Sequence, residues 1–330
     1  MDKEIKNLTS RRNRVGGQAI IEGVMMKHDE NVAIAVRQED GSIKMIDDKF
    51  ESVKKKCGFL RLPLIRGVVG FIESLILSFR TMNKGTEALG LDDEEDGKGS
   101  VSTVLIMAVS MILGVVLVIA LFSFLPAYAV KGIEKLAKTE INRYVKALIE
   151  GVIKAGIFIL YIVSISLMKD IKRTFQYHGA EHKSIACYEK GLELTPENAK
   201  LCTRFHPRCG TSFMFVMVLI GIIVGMFIPF WDRIYLRVIC KILLVPLIVG
   251  IGYEFIMYAG KHDNLFTKIF SAPGLWMQRL TTKEPDEYQL AIAICALKAS
   301  MPDEFPDFTP DEYFITREQN KGHILIEEKK

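Results

Sequence analysis

The sequence has little excess charge of either sign. Its 43 Lys and Arg stand against 39 Asp and Glu, a formal net charge of +4 over 330 residues. That balance leaves no electrostatic footprint for nucleic acid, and no nucleic-acid partner is expected. No apolar h-region follows the opening "MDKEIKNLTSRRNRVGGQ", so a secretory signal is not expected there. Internal repeats are lacking, and low complexity is confined to one acidic, glycine-containing run, "LGLDDEEDGKGS".

Hydrophobic residues make up 49% of the chain, which is ordinary for a globular protein. Their distribution is not ordinary. Four stretches, about 101–130, 149–168, 212–230 and 236–260, are nearly free of charge. A helix needs roughly 20 apolar residues to cross a bilayer core, and these runs are of that order. In the second, Glu150 and Lys154 stand four apart near one end, where they can pair and Lys154 can snorkel. The alternative, buried helices of a soluble core, is disfavoured because four such runs exceed what a soluble chain of this size carries.

The expected fold is a mainly α membrane protein. It has four transmembrane helices, an interfacial or re-entrant helix, a small N-terminal antiparallel β-sheet and cytosolic helical segments. Residues 1–15 read as a flexible basic tail and 16–57 as the β module, with Asp40-Gly41 as a type I′ hairpin tip. Residues 58–84 read as an amphipathic interfacial helix, because Arg66, Glu73 and Arg80 recur every seven positions on one face. An acidic linker fills 85–100. The four-span domain covers 101–260 and includes a motif loop at 169–211. A helical segment at 261–300 and a tail at 301–330 complete the chain.

Lys and Arg in the N-terminal region and the 169–211 loop favour the cytosol for both termini of a multi-pass cell-membrane protein. The basic connection around Lys131–Arg143 weakens that argument. The six cysteines fall mostly in segments in or facing the cytosol and are read as thiols or ligands rather than disulfides. Membrane lipids are the expected partners, with a homo-oligomer or a membrane complex as further options.

Three groups of residues carry candidate chemistry. In "YHGAEHKSIACYE", His178 and His182 stand four apart on a helix, so both imidazoles can reach one ion. Glu181 stands beside them as a candidate general base, in the H-x-x-E-H order of the inverzincin peptidases. The competing interpretation is a polar helix end with two solvated histidines. In "FHPRCGTSF", His206 and Cys209 are metal-ligand types three apart, and Arg208 could stabilise developing negative charge. Cys202, His206 and Cys209 with one histidine would instead make a closed structural zinc site. Gln18 and Glu22 occupy an apolar strand, where Glu22 needs a partner such as Arg66, His262 or a metal. Glu254 lies inside the fourth apolar stretch, as a third ligand or a partner for Arg66, with His262 two turns on.

Taken in order, "GGQAIIEGVMM", "HGAEHKSIACYE", "HPRCGTSF" and "APGLWMQRLTTKEPD" resemble the bacterial YqhQ-like family. The resemblance runs over roughly residues 15–300, and only the segment 286–296 follows the pattern loosely. That family is a membrane domain of unknown function, described as metal-dependent. The resemblance marks Gln18, Glu22, His178, Glu181, His182, His206, Arg208 and Cys209, and it supplies no reaction. The expected activity is a metal-dependent hydrolase at the cytosolic membrane face using a divalent metal, most simply zinc. The alternative is a transporter or scaffold whose polar motifs hold a cytosolic cap on the helix bundle.

Overall fold

The computed structural model describes residues 15–91, 101–229, 231–259, 262, 264–308, 313–315 and 326–328. The expected basic tail at 1–14, most of the acidic linker and most of the C-terminal tail lie outside the described residues.

The chain begins with an antiparallel meander of β1 (Val15–Ile20), β2 (Gly23–His28), β3 (Asn31–Arg37) and β4 (Ser42–Lys49). Period-2 patterning sends alternate side chains to opposite faces. Val24 and Met26 enter one core cluster, and Met25, Ile34 and Val36 enter another. The β3–β4 tip is not the expected type I′ turn. The Gly41 amide bonds to the Gln38 carbonyl at 3.1 Å, and Gly41 has φ +89° while Asp40 does not have positive φ. A type I turn followed by a left-handed glycine results, because only Gly41 lacks the Cβ that penalises that conformation. Two short strands inside the expected tail, β5 (Tyr313–Ile315) and β6 (Ile326–Glu328), extend the sheet in the order β1-β2-β3-β4-β5-β6.

Helix α1 (Ile65–Ala88) covers one face of the sheet through Leu77 and Ala88. Its three seven-spaced charges bind different parts of the molecule. Arg66 pairs with Glu254, Glu73 accepts from Ser52 (2.7 Å) and Val53 (2.8 Å), and Arg80 reaches Asp48 (2.5 Å). The helix therefore bridges the sheet and the helical bundle.

Helix α2 (Val101–Ile119) passes through a π-turn at Ala120–Phe124 into α3 (Leu125–Ala137). Pro126 lacks the amide needed to continue a regular ladder, which accounts for the irregular turn there. Helix α4 (Arg143–Ser166) leads to α5 (Lys169–Glu189) and the short α6 (Pro196–Lys200). Helix α7 (Gly210–Phe227) follows, then α8 (Ile234–Leu243), α9 (Val245–Ala259), α10 (Leu265–Thr281) and α11 (Glu287–Ala299).

Among the described residues, three helical runs are long and apolar enough to cross a membrane: Val109–Ala137, Arg143–Ser166 and Gly210–Phe227. The expected fourth is not one straight helix. Ile234–Leu243 and Val245–Ala259 are bent by 45° and make a fourth crossing only if the pair is one broken span. Pro246, at the second position of α9, cannot donate back to the preceding turn, so the ladder breaks there. At most about a sixth of each run is buried within the protein (6%, 17% and 17%), so their apolar flanks face outward. This is the inverse of a water-soluble core and is consistent with a membrane protein.

A buried charge cluster joins α4, α7 and α8 at the end of α7 away from Cys209. Glu150 meets Arg237 (3.2 Å), Lys154 (3.5 Å) and Lys241. Arg237 also donates to the Ile228 carbonyl (2.9 Å) and lies over the Trp231 ring at 3.3 Å. The pairing of Glu150 with Lys154 expected from sequence is present, but it belongs to this larger group.

On the other face of the sheet, α5 and α11 pack as a largely apolar pair. Tyr177, Ala180, Cys187, Leu290, Ile292 and Leu297 are all fully or almost fully buried. Gly179 permits this approach, because a Cβ there would lie 2.0 Å from the Lys283 carbonyl oxygen. The 169–211 segment, an inter-span connection expected to carry the histidines on a helix, holds that helix at Lys169–Glu189, and the half of it from Tyr177 onward is largely buried beneath the sheet.

Candidate metal centre

The site is assembled around α5. His178 and His182 lie one turn apart, and their ring centroids are 4.4 Å apart. The Thr195 cap starts α6, and the chain then returns through Arg204–Cys209 to begin α7. That return places Cys209 opposite the two histidines. Ligand atoms of His178, His182 and Cys209 all lie within 4.8 Å of one another. His178 Nε2 is 3.3 Å from Cys209 Sγ.

The far nitrogens of both rings are already committed. His178 Nδ1 donates to the Thr281 carbonyl at 2.8 Å, and His182 Nδ1 donates to the Arg204 carbonyl at 2.6 Å. A carbonyl can only accept, so each bond places a proton on Nδ1 and turns Nε2 inward to the Cys209 sulfur, where a metal would take the place of any proton that Nε2 carries. Metal-binding histidines characteristically carry such an outer hydrogen bond. None of the six cysteines is joined in a disulfide.

Burial disfavours charge on Cys209 and His178, but their mutual attraction outweighs it. The Cys209 thiol is held well below its ordinary value, with His182 adding to the effect, and the His178 imidazole is raised to about 9. Burial pushes the Glu181 carboxyl upward, while His178 and His182 pull it back. Glu181 accepts from the Ala19 amide, and its Oε2 is buried without a hydrogen-bond partner. Two imidazoles whose Nε2 atoms converge on one cysteine sulfur make a three-ligand set that a divalent cation fits, and Glu181, whose Oε2 is unpaired, lines the same cavity without belonging to that set.

The remaining candidate residues separate into near and far. His206 stands next to His182, with ring centroids 5.7 Å apart. Its Nε2 faces Glu189 (3.6 Å) and Arg208 (3.4 Å) rather than the cluster. Arg208 pairs with Glu189. Cys202 lies in the apolar core beside Cys187, so the closed Cys202–His206–Cys209 site is not assembled. Gln18 accepts from Ser78 at 2.8 Å and lines the same cavity as the histidines.

Glu22 is not inside a strand. It occupies the β1–β2 turn with φ +53°, and its partners are Arg173 and Tyr177 (3.2 Å), not Arg66, His262 or a metal. The strand reading failed because the Ile20–Gly23 register leaves only Ile21 and Glu22 to turn the chain. Glu254 is not a third ligand, because Arg66 holds its carboxylate on the α1–α9 side (Nε to Oε1, 2.7 Å). His262 stacks on Tyr258 at 4.2 Å and is exposed, so it takes no part in the cluster.

Sequence reasoning missed Gln278. It is fully buried in α10 and clamps the His206 backbone, accepting from its amide (2.8 Å) and donating to its carbonyl (2.7 Å). It also donates to Ser212 at 2.9 Å. The only signal was its place in "APGLWMQRLTTKEPD", to which no role was assigned.

The fold and site define a helical protein with membrane-length apolar helices, a small sheet and a buried His/His/Cys cluster able to hold a metal. The chain belongs to the family described as "Protein of unknown function (DUF1385)", which matches residues 62–303. It is also similar to the "Uncharacterized protein YqhQ" of Bacillus subtilis (strain 168). The two are 36% identical over 292 residues, covering 84% of this chain and 89% of the relative. No solved structure matches the chain.

Proposed function

We propose that the protein is a zinc-dependent hydrolase of the cell membrane, with its site and both termini on the cytosolic side. The observation that carries this reading is the convergence of His178 Nε2, His182 Nε2 and Cys209 Sγ beside the unpaired Glu181 Oε2. Three protein ligands leave a position open, as catalytic rather than structural zinc sites do. Zinc supplies a Lewis acid and lowers the pKa of water when bound. Thr281 and Arg204 orient the imidazoles. Glu181 takes the proton from the attacking water and returns it to the leaving group, a role for which its burial-raised affinity for protons is suited. Arg208 lies on the wall of the same cavity, where its charge can act on a developing oxyanion.

A second reading is favoured by one specific contact. Cys209 precedes the first residue of α7, and His178 Nε2 lies 3.3 Å from its sulfur. A helix N-terminus and a histidine are what activates a nucleophilic thiolate, so a metal-free cysteine hydrolase is the competitor. Elemental analysis of detergent-purified protein separates the two. The zinc reading requires about one metal per chain, lost from the His178→Ala/His182→Ala variant and retained by a Glu181→Gln variant that fails in cells. Metal-free protein that is fully functional in complementation overturns it. If Glu181→Gln is only less stable and otherwise functional, the polar motifs serve a scaffold or transporter instead.

A further inference from the structure

The sheet ends at β1, and its outer side carries no strand among the described residues. Ile20 and Gly23 close a two-residue turn, and the register continues through Gln18–Met25 and Gly16–Lys27. In an antiparallel ladder these alternate residues point their amides and carbonyls at the partner strand. Val15, Gly17 and Ala19 therefore point theirs outward. The bond from the Ala19 amide to Glu181 agrees with this phase.

That outward edge is one wall of the metal-site cavity. A space of about 580 Å³ is lined by all of Val15–Ala19 together with His178, Glu181, His182 and Cys209. A second space of about 420 Å³ shares Val15–Gln18, Ser74 and Ser78, and carries the groove along the strand to Lys27 and Asp29. Each falls within the about 300–1,000 Å³ typical of ligand sites. Glycine at 16 and 17 keeps the strand bare. A Cβ on Gly16 would meet nothing within 4 Å, and Gly17 lies directly against Glu181.

We infer that the substrate is a polypeptide, bound in extended form as an added strand along the outward edge of β1, where it pairs with Val15 and Gly17 beside the Ala19 amide that Glu181 holds. This rests on the hydrolase reading and names its substrate class. A row of main-chain donors and acceptors selects an amide backbone, whereas an acyl chain offers nothing to satisfy them. The pairing lays one peptide bond of the guest beside His178, His182 and Cys209. Hydrolysis breaks its C–N bond. Water adds hydroxyl to the acyl carbon, and Glu181 carries the displaced proton to the departing nitrogen.

The test uses full-length Glu181→Gln protein in detergent, incubated with zinc and a mixed-sequence pool of decapeptides. Amide hydrogen exchange at residues 15–19 is followed by mass spectrometry. With the pool at about ten times its Kd, exchange at Val15 and Gly17, the outward amides that residue 181 does not already hold, slows about ten-fold. The same pool N-methylated at alternate residues gives no slowing, and wild-type protein cleaves the unmodified pool. Absence of protection, or equal protection by the methylated pool, overturns strand addition. Cleavage of a phospholipid or fatty-acid ester without protection overturns the peptide assignment and leaves the hydrolase reading standing. Protection without cleavage by wild type keeps the peptide groove and overturns the hydrolase.

Discussion

Replacing Gln278 with methionine tests whether the "HPRCGTSF" turn is held from outside the cluster. The two side chains are close in volume, so the change removes polar contacts with little loss of packing. Gln278 is fully buried and serves the His206 amide, the His206 carbonyl and Ser212. A buried polar group left without a partner costs about 1–3 kcal/mol, and that is the cost expected for the His206 amide, which loses Gln278. The His206 carbonyl also accepts from the Cys209 amide at 3.3 Å. Loosening it releases the backbone that aims the Cys209 sulfur. Loss of outer supports at metal sites weakens binding by about 10–100-fold, and that range is expected here. Zinc affinity is measured by competition with a chromophoric chelator on folded, detergent-solubilised protein, alongside thermal unfolding. A variant that is destabilised as expected but binds zinc with wild-type affinity refutes the idea that Gln278 positions the centre.

Two further outcomes follow from the charge arrangements. Glu150→Gln leaves Arg237, Lys241 and Lys154 clustered without their shared counter-charge, and destabilisation of about 3–5 kcal/mol is expected in denaturant titrations. A variant as stable as wild type would mean that Glu150 does not neutralise the cluster. Burial pushes the Glu189 carboxyl up, but His206 and Arg208 outweigh this and hold it below its ordinary value of 4.5. A depressed carboxylate stabilises the fold above the unfolded-state value, and the contribution is lost as pH falls through the lower folded-state value. Wild-type stability should therefore drop below about pH 4.5 more steeply than that of Glu189→Gln, and parallel profiles would contradict the pairing.

Much of the architecture is legible in the sequence because its signals are local. Charge-free runs mark membrane-length helices, and alternating hydrophobicity marks the meander. What escaped depends on contacts between distant segments. Nothing near Pro246 says whether α8 and α9 form one bent crossing, since a proline kink is resolved by neighbouring helices. The helix of the 169–211 segment was legible, but its polar residues gave no sign of burial, and Glu181, His182 and Lys183 are buried because the sheet, α11 and the returning chain enclose them. Glu22 looked like a strand residue because Ile21-Glu22 is not a turn-forming pair, and the turn is carried by a glutamate with positive φ tied to Arg173.

The site divides along the same line. Four-residue spacing on a helix is sufficient to put His178 and His182 on one face, and the sequence could go that far. It could not select the third member, because His206, Cys209 and Glu254 are all chemically eligible. Selection comes from outside the motifs: Glu189 and Arg208 engage the free nitrogen of His206, Arg66 takes Glu254, and Cys209 alone is left facing the imidazoles. The same logic explains the paired glycines that open β1. A Cβ on Gly17 would come within 2.8 Å of Glu181 Cγ and of Met26 Sδ. Glycine there lets the strand edge and the acidic residue of H-x-x-E-H share one wall. The "GGQ" run is thus part of the metal centre by exclusion rather than by ligation, a relation that spacing alone cannot express.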